Sequence, residues 1–247
     1  MTIHHRPPRR AEAPTPTDDR PRRPALLGWT DGAGVARREL RSLPDSAALD
    51  GATAILGRGT LLRAATGPVA AEDVRPGDVL AVRGGWAEAV WTAARVPRPS
   101  GANPPLLRVA AGAFGAAPVR PILLGGGALV LLDDRRCVPL VGGRLALAPL
   151  AALVQSHAVD PLSPPGEVAT YGIAVRGQAA LDVAGLPVAA AHPAHATMAA
   201  LHARAAGDLR AMFPMLAEVS GFGPAPIPCL TAAEARMLAG AGPLAVA

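Results

Sequence analysis

The chain has 247 residues and a net charge of +5, and half of its residues are apolar while only 3% are aromatic. A core must therefore be built mainly from aliphatic and alanine side chains. All 24 basic residues are arginines, so the chain can form no lysine Schiff base and has no lysine for a phosphate-binding loop. Composition thus excludes pyridoxal-phosphate and P-loop chemistry, and its arginine and alanine bias is typical of a GC-rich bacterial genome.

The first part of the chain, up to residue 50, shows no sustained apolar pattern. Residues 1–23 carry six arginines among prolines and acidic residues, a composition typical of disorder. We predict a disordered and linker segment over residues 1–50, with a short helix over residues 35–43 that ends before Pro44. A basic tail can also bind nucleic acid, but the sparse aromatic residues argue against a surface that stacks on bases.

Residues 51–192 have the pattern of a β domain. Short apolar runs alternate with turns rich in glycine, proline and aspartate, and the 27 glycines and 27 prolines of the chain suit many such turns. Residues 75–78, Arg-Pro-Gly-Asp, predict a tight turn because proline presets φ and glycine accepts a positive φ. The predicted strands cover residues 52–56, 60–65, 79–82, 86–96, 106–110, 119–124, 128–132, 137–140, 168–175, 179–183 and 186–190.

Residues 193–247 change to a helical pattern. Good helix formers fill residues 197–206, and Asp208 could cap a short helix that Pro214 limits. Thr231 and Glu234 have the spacing of a capping box, and Gly240 suits the end of the helix that follows. We predict a helical extension here.

The β region also carries a family resemblance. Gly59 and Thr60, then Gly67, then Gly77 and Asp78 follow Ile55 in order, and this order resembles the opening of the Hint (Hedgehog/intein) domain family. Segments at residues 109–115, 121–124, 171–187 and 209–214 resemble the bacterial Hedgehog/intein-like branch. The resemblance implies an all-β class: a flattened Hint-type β fold with short C-terminal helices and a disordered N-terminal tail.

The resemblance also implies where self-processing chemistry would lie. A thiol or hydroxyl on the first residue would attack the preceding carbonyl, and a Thr-x-x-His pair would orient the peptide and donate a proton. Here the nucleophile position holds Ile55, the hydroxyl position holds Gly125 and the histidine position holds Ala128. The single asparagine, Asn103, lies in a proline-rich loop, so the terminal asparagine that splicing needs is missing as well.

These replacements predict a degenerate Hint domain without autoprocessing activity, and thus not an enzyme, that acts as a structural or interaction module. The alternative is an active self-cleaving domain with an atypical nucleophile, which would break the chain before Ile55. We expect no cofactor, no nucleic acid and no membrane partner, while a protein partner is open. With no leader sequence and no transmembrane segment in the pattern, we expect a cytoplasmic location.

Other reactive residue types have simpler interpretations. Thr60 and Asp78 could act in catalysis, but a β-former beside a glycine and a turn cap explain them. His192, His195 and His202 could bind a metal ion, yet Pro193 and the absence of further ligands nearby favour no metal site. The two cysteines, Cys137 and Cys229, are expected to be reduced and buried, although arginines beside Cys137 leave a reactive thiol open.

Overall fold

The protein is described by a computed structural model that covers residues 19–97, 106–154, 158–193, 203–217 and 227–247. Within these residues strands predominate over helices, so the all-β prediction is confirmed. The strands are β1 Arg22–Thr30, β2 Ala36–Pro44, β3 Leu56–Gly57, β4 Leu61–Ala64, β5 Gly67–Ala70, β6 Val79–Val82, β7 Gly85–Arg95, β8 Leu106–Val109, β9 Ile122–Gly125, β10 Leu129–Asp133, β11 Leu145–Pro149, β12 Val159–Leu162, β13 Thr170–Val175, β14 Ala180–Val183 and β15 Leu186–Ala189.

Four short α-helices and three 3₁₀ turns accompany the strands in the described ranges. None of these helices is long and apolar enough to cross a membrane. The helices are α1 Ala47–Thr53, α2 Val138–Val141, α3 Ala203–Met212 and α4 Ala232–Gly240, and the 3₁₀ turns are Arg135–Cys137, Leu150–Leu153 and Pro214–Ala217.

The strands form one continuous sheet, in which neighbouring strands are antiparallel. Its main path runs β11-β10-β15-β14-β6-β7-β13-β3-β9-β8-β12. The long strand β7 lies at the centre because its first half pairs with β6 and its second half pairs with β1 and β13. Alternate residues of β7 are buried, which is the period expected of a strand with one face on a core.

An aromatic contact joins the centre of the sheet to the C-terminal helices. Trp91 of β7 stacks on Phe213 with ring centroids 4.3 Å apart, and its indole N–H donates to the Met212 carbonyl at 2.9 Å. Since buried aromatic pairs contribute beyond their area, this contact fixes α3 on the sheet. The capping box at Thr231 and Glu234 is present at the start of α4, as predicted.

The structure differs from the sequence prediction before residue 57, because residues 22–50 form β1, β2 and the start of α1 rather than a disordered linker. The helix predicted over residues 35–43 is wrong: β2 pairs along its whole length with β1, and β1 pairs in turn with β7. Most β2 residues are exposed and four of the nine are charged, so their order resembles a helix pattern, whereas backbone pairing with β1 makes this segment a strand. The strand predicted over residues 52–56 is also wrong for its first part, which belongs to α1.

Two further predicted elements are corrected. Residues 137–140 are not a strand, because the Asp134 carboxylate accepts from the Arg136 N–H and starts a 3₁₀ turn that continues into α2. Asp208 lies within α3 rather than at its N-cap, and it forms an ion pair with Arg20 at 2.8 Å instead. The predicted helix over residues 197–206 lies mostly outside the described residues.

Candidate functional site

The peptide bond between Ala54 and Ile55 lies inside the protein, where α1 meets β3. Ala54 directly follows α1, and its N–H donates to the Asp50 carbonyl at 2.6 Å. Ile55 is only 4% exposed, and Leu56 after it pairs with both β9 and β13. The bond at which the resemblance would place self-cleavage is therefore held on both sides by regular structure.

A glycine loop at the end of β9, residues 125–127, binds this junction through its backbone. The Gly127 N–H donates to the Ala54 carbonyl oxygen and the Gly125 N–H donates to the Ile55 carbonyl oxygen, each at 2.9 Å. A donor on the Ala54 carbonyl would stabilise negative charge on that oxygen if a nucleophile attacked its carbon. The loop thus provides one element of an acyl-transfer site.

Positions 125 and 127 of this loop have no room for a side chain. A Cβ atom on Gly125 would lie 2.1 Å from the Ala54 oxygen and 2.2 Å from the Ala54 carbonyl carbon, and one on Gly127 would lie 2.7 Å from the Gly51 oxygen. The Ala54 carbonyl therefore fills the space that a hydroxyl-bearing side chain at position 125 would need. The Ala54 carbonyl can occupy this place only because residue 125 is a glycine.

The two remaining family positions offer only hydrocarbon. Ile55 presents a branched aliphatic side chain, and Ala128 presents a methyl group that is 1% exposed. Neither can attack a carbonyl or donate a proton. The structure brings Ile55 and Gly125 into direct contact through the hydrogen bond described above. Ala128 directly follows the glycine loop, and its N–H donates to the Gly125 carbonyl at 3.0 Å.

A histidine that the sequence analysis considered only as a metal ligand lies beside this junction. His192 lies three residues after the end of β15, is 2% exposed and lines a cavity of about 20 Å³ together with Ile55, Gly51 and Gly127. A cavity of this size holds about one water molecule. Since the pairing of β15 with β10 and β14 brings His192 here, no local sequence pattern could have indicated it.

A buried ion cluster holds the segment before Ala54 against the sheet. The Arg95 side chain, at the end of β7, is 0% exposed and lies 3.2 Å from the Asp45 carboxylate and 3.6 Å from that of Asp50. The same guanidinium donates to the Pro44 carbonyl at 3.0 Å. Because Asp45 and Asp50 precede and belong to α1, the cluster fixes the helix that delivers Ala54 to the glycine loop.

The Gly-Thr pair of the family motif supports this region from the other side. Gly59 has a φ of +77°, and its N–H donates to the Glu72 carboxylate at 2.9 Å. The Thr60 hydroxyl donates to the Leu123 carbonyl of β9 at 2.6 Å. Thr60 thus ties β4 to β9, and its hydroxyl proton is engaged in that bond.

The remaining motif residues form turns. Gly67 and Gly77 have φ values of +121° and +100°, a region that favours glycine. The Asp78 carboxylate accepts from the Arg75 N–H at 2.7 Å, so it closes the turn over residues 75–78. These contacts assign the three residues to the path of the chain rather than to a reaction.

Metal ligation and thiol chemistry find little support in the described parts of the chain. No group of three or more His, Cys, Asp or Glu side chains there could hold a metal ion, and His195 and His202 lie outside the described residues. Cys137 is fully buried, and burial raises the pKa of both the Cys137 and the Cys229 thiol. A raised pKa disfavours the thiolate, which is the reactive form.

Comparison with known proteins agrees with this geometry. The sequence model of the Hint domain matches residues 55–195, more than half of the chain, and its match begins at Ile55. No curated protein and no solved structure matches the chain. The match and the strand-rich fold lead to one conclusion: the chain belongs to the Hint domain family.

Proposed function

We propose that this chain is a degenerate Hint domain that has no autoprocessing activity and serves as a structural or interaction module. One observation carries the proposal: the Ala54 carbonyl is bound by the Gly127 N–H, yet the side chain that would have to attack it is that of Ile55. An acyl shift needs a heteroatom at this position and a proton donor for the amide nitrogen that leaves. Loss of both groups leaves no reaction for the site to accelerate.

The segment before Ile55 supports the same proposal. In a self-cleaving domain, the chain on the N-terminal side of the broken bond is the product to be released. Here it belongs to the fold, since β1 pairs with β7 from Ala25 to Trp29 and the buried Arg95 cluster fixes α1. Such integration suits a domain that keeps its N-terminal segment.

The proposal is tested by the intact mass of the denatured protein. Denaturation is required, because β1 and α1 would hold two fragments together in the native state. We expect a single species of 24.9 kDa before and after incubation with a thiol or hydroxylamine. Species corresponding to residues 1–54 and 55–247 would contradict the proposal, and a known amount of the separately expressed fragment 55–247 fixes the detection limit.

A matched variant separates the missing nucleophile from the missing proton donor. Ile55→Cys supplies a thiol next to the Ala54 carbonyl, while Ala128 still has no proton to give. We expect this variant to stay intact in hydroxylamine as well. Cleavage of Ile55→Cys alone would mean that another group donates the proton, and His192, in the cavity beside Ile55, would be the first residue to replace.

The alternative function is an active self-cleaving domain with an atypical nucleophile. The Gly127 N–H on the Ala54 carbonyl favours it, because this donor would stabilise a tetrahedral intermediate. Against it, the nearby Thr60 hydroxyl is engaged with the Leu123 carbonyl and Thr53 donates to the Leu49 carbonyl at 2.8 Å. Cleavage of the wild-type chain that disappears in Thr53→Val or Thr60→Val would establish the alternative.

Three finer expectations stay predictions. They are a bacterial source, a cytoplasmic location, and a division of the chain into an N-terminal segment 1–50, a Hint domain 51–192 and a C-terminal extension 193–247. Limited proteolysis would test the division, since a boundary between independent units exposes backbone that a protease can reach.

A further inference from the structure

A cleft of about 140 Å³ opens between the N-terminal hairpin and the Hint domain. Its floor is formed by β1, β7 and β13, and one wall is the loop before β6, residues 71–76. Gly28 keeps the floor low: a Cβ atom there would lie 2.7 Å from the Thr92 hydroxyl and 3.4 Å from Pro76. The floor is otherwise mostly apolar, with Leu26 and Ala94 exposed to the cleft.

Four polar side chains around this cleft make no hydrogen bond to any residue in the described part of the chain: Arg38, Arg75, Thr92 and Tyr171. Arg38 and Arg75 are exposed and accessible to a ligand, whereas Thr92 and Tyr171 are half-buried and present their polar groups to the cleft. Tyr171 is partly buried, and burial together with the nearby Glu72 raises the pKa of its phenol. The phenol is therefore a neutral hydrogen-bond donor.

The charges around the cleft favour an anion. Arg37 forms an ion pair with Asp31 at 2.8 Å. The Glu72 carboxylate in the cleft wall accepts from the Gly59 N–H at 2.9 Å and forms an ion pair with Arg58 at 3.7 Å. Arg38 and Arg75 are not engaged in this way, which leaves two guanidinium groups on the rim above an apolar floor. Guanidinium groups bind carboxylates through parallel, charge-assisted hydrogen bonds.

We propose that this cleft binds a small organic monocarboxylate with an apolar body about the size of a benzene ring or a six-carbon chain. The apolar body would lie on Leu26, Gly28 and Ala94, and the carboxylate would meet Arg38 and Arg75. A cavity of about 150 Å³ is known to admit a benzene ring, which agrees with the volume found here. The site is distinct from the Ala54–Ile55 junction and does not depend on whether the chain self-processes.

Titration of the full chain with phenylacetate and hexanoate, followed by NMR, tests the proposal. We expect both to bind in the millimolar range that suits a ligand of about ten non-hydrogen atoms, and we expect phenylacetamide, the neutral counterpart, to bind at least about tenfold more weakly. Absence of binding at about 20 mM carboxylate, or equal binding of the amide, would overturn the proposal.

Variants locate the site. Arg38→Gln and Arg75→Gln should each weaken phenylacetate binding about tenfold, and Ala94→Leu should abolish it by filling the floor. Arg135→Gln is the matched control, since Arg135 is exposed and lies in the 3₁₀ turn before α2 rather than in the cleft. A loss of binding in Arg135→Gln equal to that in Arg38→Gln would mean that net charge, not this cleft, attracts the ligand, and would overturn the assignment.

Discussion

Replacing Gly125 with alanine adds one methyl group where α1 meets the glycine loop. The added Cβ would lie 2.1 Å from the Ala54 oxygen, so the two backbone segments must separate by roughly 1 Å to restore ordinary contact. That shift lengthens the two 2.9 Å hydrogen bonds from Gly125 and Gly127. Two weakened buried hydrogen bonds at about 1 kcal/mol each, together with overpacking of about 1–3 kcal/mol, predict a loss of about 3–5 kcal/mol of unfolding free energy.

Urea denaturation of Gly125→Ala beside Gly143→Ala measures this loss. Gly143 is the matched control because a Cβ atom there meets nothing within 4 Å, and its replacement should change the unfolding free energy by less than about 0.5 kcal/mol. If Gly125→Ala were as stable as Gly143→Ala, the Ala54 carbonyl would not occupy the space beside position 125. Position 125 would then have room for a hydroxyl-bearing side chain, which contradicts the steric clash inferred here.

Three further predictions concern the framework around the site. Arg95→Met should cost about 2–3 kcal/mol, since it removes the buried guanidinium from the Asp45 and Asp50 carboxylates while Asp45 keeps its ion pair with Arg23 at 3.3 Å; a urea midpoint equal to wild type would contradict this. The Arg136 guanidinium lowers the pKa of Asp134 to about 2 from an ordinary 3.8. This lowered pKa stabilises the folded state by about 2 kcal/mol above pH 4, and the stabilisation is lost as pH falls from about 4 to 2. Acid titration of Asp134→Asn should therefore lack this part of the pH dependence, and an unchanged acid profile would count against the pair. Gly207→Ala, in the middle of α3 with open space around it, should gain about 0.5–1 kcal/mol, whereas a loss of thermal stability would contradict a helical conformation at position 207.

The parts of the fold that local chemistry decides could be predicted from the sequence. The turn at residues 75–78 follows from its Pro-Gly-Asp order, and the start of α4 follows from the spacing of Thr231 and Glu234. The strand β6 was predicted with its observed bounds because its apolar run lies between two strong turns. In each case the residues that determine the structure are within four positions of one another.

Features that depend on distant pairing could not be predicted. The strand β2 is charged and mostly exposed, so only its partner β1 reveals it as a strand. Arg95 at the end of β7 looks in the sequence like any other charged strand end. Its burial depends on Asp45 and Asp50, which follow the β1–β2 hairpin in the chain. His192 reaches Ile55 only because the sheet brings the end of β15 back to the start of the domain.

The candidate site itself was partly predictable. The family resemblance indicated positions 55, 125 and 128 and the loss of their reactive groups. It gave no sign that the Ala54 carbonyl is bound by Gly127 or that Gly125 is sterically required. Both facts follow from a close backbone approach that the sequence shows only as three consecutive glycines.

The central claim is that the hydrocarbon side chain of Ile55 leaves the peptide bond between residues 54 and 55 intact. Its most direct test is mass spectrometry of the chain made in a cell-free system and sampled under denaturing conditions from minutes to a day after synthesis. We predict one species of 24.9 kDa at every time. A fragment of residues 55–247 that grows with time would contradict it.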